Sequence, residues 1–192
     1  MSQLLLFHTG FDVISAPDVH YGRKNADFGQ GFYLSDDEQF ALRWAKLRKD
    51  RDTYINRYVL ETEGLKILRF DRDKTWFDYI YRNRGGYQDL LAETDVIIGP
   101  IANDTIYNTL GILTSGFVSR DLSLKVLLQG PLSTQIVLKT EKAASALTFL
   151  GAELLEREKI LTLRAKVQEE EAAYQMLLGR IIGDASDDDT LA

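Results

Sequence analysis

DFGQGFYLSDDEQFALRW, residues Asp27 to Trp44, packs three kinds of local structure into eighteen residues. Gly29 and Gly31 come first; glycine at this spacing permits a left-handed backbone or the close approach of another group. Phe32-Tyr33-Leu34 follows, short and apolar enough for a strand. Asp36 and Asp37 stand where a helix N-cap belongs, and Phe40, Ala41, Trp44 and Ala45 then repeat on one face. The expected unit is glycine turn, strand, cap and a helix ending near Asp50. Such a unit is also ordinary packing in many α/β and α+β proteins, so its neighbours must give it meaning.

Toward the N-terminus, residues 3–8 (QLLLFH) read as a buried opening strand closed by Thr9-Gly10. His8 falls at its C-terminal edge, a position suited equally to a hydrogen-bonded structural histidine and to a ligand contact. Residues 21–25 form a polar loop. Toward the C-terminus, residues 54–61 and 65–70 alternate around Thr62-Glu63-Gly64 and predict a β-hairpin. Residues 74–84 predict a helix with aromatics turned inward and Gly85-Gly86 at its end. Residues 95–100 predict a buried strand stopped by Gly-Pro. Asn103 and Asp104 suit a cap for a helix over 105–114, with another over 120–128. Residues 135–139 predict a strand, 143–149 a further helical pattern, and 152–180 a long helix rich in Glu, Leu, Ala and Lys.

The chain has 192 residues, enough for one domain with a sizeable core. We read residues 1–150 as that domain, 151–183 as a C-terminal helical appendage and 184–192 as an acidic tail without structure. No apolar run approaches a membrane span and no basic segment precedes Leu4-Leu5-Leu6-Phe7, so the expected compartment is the cytoplasm. With no cysteine and two histidines, thiolate chemistry and zinc-thiolate or histidine-rich metal centres are excluded. The net charge of −6 sits mainly after residue 150, with ten acids against five bases. A near-neutral body gives no general attraction to nucleic acid. The run Arg43, Lys46, Arg48, Lys49 and Arg51 could serve as a local patch for it, though such a run is more often a solvated helix face.

Taken together, the phrases PDVHYGRKNADFGQGFYLSDD, FALRWA, WFDYIYRNR and DVIIGPIANDT resemble the ADP-ribosyltransferase fold, and more closely the DUF3990 family placed with it. The resemblance covers the chain from about Leu4 to the strand at Gln135. It implies an α+β fold with an ADP-ribosyltransferase-like split β-sheet core, flanking helices and the C-terminal helical appendage. It also implies NAD as substrate, held by a His-Tyr-Glu signature of the poly-ADP-ribose-polymerase-like and diphtheria-toxin-like branches.

In that scheme His8 bonds a ribose hydroxyl, and the backbone of Thr9 and Gly10 holds the nicotinamide amide. Gly31-Phe32-Tyr33 matches the Gly-x-Tyr phrase, and Trp44, eleven residues after Tyr33, is the second aromatic wall of a nicotinamide slot. Stacking a cationic ring between two such walls is worth about 1–2 kcal/mol. Trp44 serves equally as the core anchor of its helix, and both readings stay open. The signature glutamate has no counterpart; Gln135 stands nearest its place, with Glu141 and Glu93 as substitutes. A glutamine accepts the same hydrogen bond but brings no negative charge to the transition state. Arg23 and Asn25 are candidates for the NAD pyrophosphate, or Arg23 pairs with Asp27. Asn103 and Asp104 line the site or only cap a helix.

The expected activity is cleavage of the nicotinamide–ribose bond with transfer of ADP-ribose to an unspecified acceptor, His8, Tyr33 and Gln135 being the catalytic candidates. The alternatives are a non-catalytic NAD-binding or protein-interaction module, with residues 152–180 as a partner surface, and the toxin of a toxin–antitoxin pair.

Overall fold

A computed structural model describes residues 3–102, 124–125, 128 and 130–188. The expected helix over 105–114, most of that over 120–128, and Asn103 and Asp104 lie outside the described residues. The protein is α+β, with seven strands and four helices in two sheets among those residues.

The first sheet has the order β1 (Gln3–Gly10), β3 (Tyr54–Glu61), β7 (Leu147–Leu154), antiparallel throughout. The second has the order β2 (Phe32–Leu34), β6 (Thr134–Leu138), β5 (Val96–Pro100), β4 (Ile67–Arg69), and only β4 and β5 run parallel. Strand alternation sorts the side chains into layers. Leu6, Tyr58 and Leu60 of the first sheet meet Phe32, Leu34, Ile98, Ile136 and Leu138 of the second, forming the inner core. On the outer face of the second sheet, Ile97, Val137 and Tyr33 pack under Trp76, Phe77 and Ile80 of α2 (Lys74–Arg84). On the outer face of the first, Phe7 and Ile55 lie under Ala41 and Leu42 of α1 (Glu38–Leu42) and Ile160 of α4 (Arg157–Asp188). The order of layers is helix, sheet, sheet, helix.

Four expectations are corrected. Residues 54–61 and 65–70 do not form a hairpin: β3 pairs with β1 and β7, while β4 crosses to the other sheet and pairs with β5. The helix after Asp37 is only five residues long, its N-cap carboxylate accepting from Gln39 and Phe40 N–H, and residues 46–53 are irregular. The helical pattern over 143–149 divides into α3 (Glu141–Ser145) and the start of β7. A boundary at residue 150 therefore falls inside a strand; α4 begins at Arg157 and its backbone runs to Asp188, into the stretch read as tail. No helix among the described residues is long and apolar enough to cross a membrane.

Candidate functional site

The two sheets touch where β1 passes the end of β2. Phe7 and Ser35 each donate their N–H to the other's carbonyl, at 2.8 and 3.0 Å. One residue further along β1, His8 Nδ1 lies 2.8 Å from the carbonyl oxygen of Tyr33. A carbonyl only accepts, so Nδ1 carries the hydrogen and Nε2 presents a lone pair. The ring packs on Phe32 with centroids 4.9 Å apart, and burial pushes the imidazole below its ordinary pKa, against the opposing pull of the Tyr33 carbonyl. Nε2 has no protein hydrogen-bond partner among the described residues. Gly10 keeps its front open, since a Cβ there would stand 3.1 Å from Nε2.

Thr9 adds main-chain groups to this opening. Phe7 directs its N–H and C=O toward β2, and the two-residue repeat of a strand directs those of Thr9 the same way, past the point where β2 pairs. No described residue takes them, and Thr9 Oγ1 is buried without a hydrogen-bond partner. The end of β1 therefore offers a neutral acceptor nitrogen, a free amide donor and a free carbonyl. That set can bind a polar ligand carrying hydroxyl and carboxamide groups.

The ring of Tyr33 is elsewhere. It lies in the outer core beneath α2, where its hydroxyl donates to Gly29 O at 2.7 Å and accepts from Phe28 N at 3.0 Å. Burial and the negative charge of Asp27 drive its pKa far up, so it stays a phenol. Trp44 follows α1 and sets its ring edge-on to Phe40 at 6.4 Å. No ring contact joins Tyr33 to Trp44 among the described residues: the Tyr33 ring packs on the outer face of the second sheet, whereas α1, which Trp44 follows, packs on the first. What Tyr33 brings to His8 is its carbonyl.

The glycines of the opening stretch meet protein. Gly29 has φ of +74°, and a Cβ there would lie 2.2 Å from Asp89 Oδ2. At Gly31 a Cβ would lie 2.6 Å from both Leu138 O and Val137 Cγ1 of β6, and a Cβ at Gly22 would lie 2.5 Å from Gly31 O. Gly31 answers to close approach, by β6, and Gly29 to both a left-handed backbone and the approach of Asp89. Lys139, its side chain 2% exposed, donates to Phe28 O, to Gln30 O at 3.2 Å and to Asp89 Oδ2 at 2.6 Å. Desolvation lowers the Lys139 pKa and Asp89 only partly restores it. Burial alone would raise Asp89, but Lys139, Tyr79 and the Leu91 N–H outweigh it and leave the carboxyl below its usual range. Nothing in sequence marks these two, fifty residues apart, as a pair.

Gln135 also lies on the α2 side. Its Nε2 donates to Asp27 Oδ2 and Pro100 O, both at 3.3 Å. Asp27 is held by Arg84, with Nε at 2.8 Å and a terminal nitrogen at 2.6 Å from Oδ1, both side chains being 6% exposed. Arg84, not Arg23, is thus the residue paired with Asp27. Gln135 and His8 face opposite sides of the second sheet and do not converge. Glu93 lines a cleft of about 590 Å³ with Lys24, Asn25, Gln30, Tyr87 and Lys139, beside the end of α2. Glu141, in α3, lies 3.8 Å from His20. Arg23 is exposed in the preceding loop. Among the described residues no group of three or more His, Asp or Glu side chains is arranged to hold a metal ion.

No curated protein and no solved structure matches the chain. A family model described as protein of unknown function, DUF3990, matches residues 4–149, taking in the second sheet whole and stopping within β7 before α4. With the strand end of His8, the glycine turn and the whole second sheet inside that span, the chain belongs to the DUF3990 family.

Proposed function

We propose that this chain is an ADP-ribosyltransferase-like protein that binds NAD at the C-terminal end of β1 and holds it without cleaving it. The observation that carries the reading is the group of atoms there that no described residue pairs: His8 Nε2 with the N–H and C=O of Thr9. A neutral imidazole nitrogen accepts from a ribose hydroxyl, and one amide N–H with one carbonyl is the complement of a carboxamide such as that of nicotinamide. Phe32, on which the His8 ring packs, supplies an apolar wall. Holding without cleavage is favoured by Gln135, whose amide is taken up by Asp27 and Pro100 on the far side of the sheet. Gln135 itself brings no carboxylate to the His8 opening to stabilise an oxocarbenium-like state.

The second reading is transfer of ADP-ribose, favoured by the order in which His8, Gly31-Phe32-Tyr33 and Gln135 follow one another within residues 4–149. One experiment separates the two: thermal unfolding with and without NAD, alongside an assay of nicotinamide release. The expected result is NAD-dependent stabilisation of the wild type, lost in His8→Ala and in Gly10→Val, with no nicotinamide released. Release that falls in His8→Ala and Gln135→Ala would establish the transferase instead, and an unfolding curve indifferent to NAD would remove both. Gln135→Glu should not create activity. It sets a second carboxylate against Asp27 and should lower stability.

A further inference from the structure

The basic run after α1 is not the face of a helix. Because α1 ends at Leu42, residues 46–53 are irregular, and they gather beside Phe11, the first residue past β1. The guanidinium carbon of Arg48 stands 4.8 Å above the Phe11 ring and that of Arg51 stands 5.4 Å from it. Asp12 engages Arg51 through both carboxylate oxygens, at 2.6 and 2.7 Å. Arg48, Lys46 and Lys49 are exposed and have no acidic partner among the described residues. From Arg43 to Thr53 there are five bases against two acids, in a chain whose net charge is −6.

Two guanidiniums around one ring, with a single carboxylate between them, leave an uncompensated positive charge that an anion would relieve. An aromatic face fixes the plane of a guanidinium and leaves its N–H edge free for two-point contact with a phosphate. Phe11 adjoins Gly10, so this cation lies beside the unpaired groups of His8 and Thr9. Resting on the NAD reading above, we infer that Arg48, assisted by Lys46 and Lys49, is the subsite for the diphosphate of the bound dinucleotide, in place of Arg23. Phe11 is the platform that orients it.

The test is calorimetric titration of the full chain with NAD, ADP and nicotinamide, in the wild type, Arg48→Gln, Arg48→Lys and, as a control, Arg23→Gln. Both substituted residues, Arg48 and Arg23, are exposed, and unchanged melting temperatures check that the three variants fold. Arg48→Gln should weaken NAD and ADP at least about tenfold, the loss of a charge-assisted bond, and leave nicotinamide unchanged. Arg48→Lys should fall between, and Arg23→Gln should match the wild type. NAD bound equally by the wild type and Arg48→Gln overturns the subsite and leaves the NAD reading standing. ADP bound through Arg48 with no affinity for NAD keeps the anion subsite and overturns the NAD reading. Failure of the wild type to bind either compound overturns both.

Discussion

His8 has its tautomer chosen by the Tyr33 carbonyl and its charge state chosen by burial, and the two choices have one measurable consequence. In the unfolded chain the imidazole takes up its proton near 6.5, whereas in the folded protein it does so only at lower pH. Between those values the unfolded state holds more protons, so the stabilising effect is complete above about 6.5 and declines as pH falls below it. Urea midpoints at pH 7.5 and pH 5.5 should therefore differ less for His8→Asn than for the wild type, and equal slopes would show that His8 stays accessible to protons when folded. The strand edge that singles out His8 is visible in sequence because Thr9-Gly10 punctuates an apolar run. Which face a residue serves is less visible. Tyr33 and Trp44 have the right spacing for facing walls, yet β2 turns the Tyr33 ring outward under α2. A two-residue period fixes that side once Phe32 is given to the inner core, and no local signal says which of the two neighbours it is.

At the level of elements, α2, β3, β5 and β6 are legible because each combines a clear period or an unbroken apolar run with Gly, Pro or Asp punctuation nearby. Their partners are not. Thr62-Glu63-Gly64 is good turn sequence, but whether the strands on either side pair with each other depends on β1, β5 and β7, which are far away in the chain. Strand β7 hides in helix-favouring Ala152-Glu153-Leu154, where pairing with β3 overrides intrinsic propensity. The turn at 28–30 depends likewise on an element it does not belong to, since the residue just after β6, Lys139, holds its carbonyls. Lys139→Met leaves Asp89 mostly buried without its counter-charge and should cost about 3 kcal/mol by denaturant titration, with part of the loss recovered in Lys139→Met/Asp89→Leu. A cost near that of an exposed lysine, about 0.5 kcal/mol, would mean the turn holds itself.

For the molecule as a whole, the four layers make α4 part of the body. Ile160, 1% exposed, completes the cluster of Phe7, Ala41, Leu42 and Ile55, and Glu170 is ion-paired with Arg43 beyond α1. The sequence foretells the helix and its apolar stripe, but it reads as an appendage because nothing local reveals that the short α1 covers only part of the outer face of the first sheet. Ile160→Ala should lower stability by about 2–5 kcal/mol and move the entire unfolding transition. If only a minor early phase shifted, α4 would be a separate unit.

The two sheets share little main chain: among the described residues they are joined by the reciprocal pair of Phe7 and Ser35. Those two amides can lose protection when the sheets part, without either sheet unravelling. Their deuterium uptake therefore reports a local parting, distinct from the slow uptake expected of buried amides in β3 and β6. A ligand seated on His8 and Thr9 would bridge the same seam, and slowed exchange at Phe7 and Ser35 would record its arrival even if no chemistry followed.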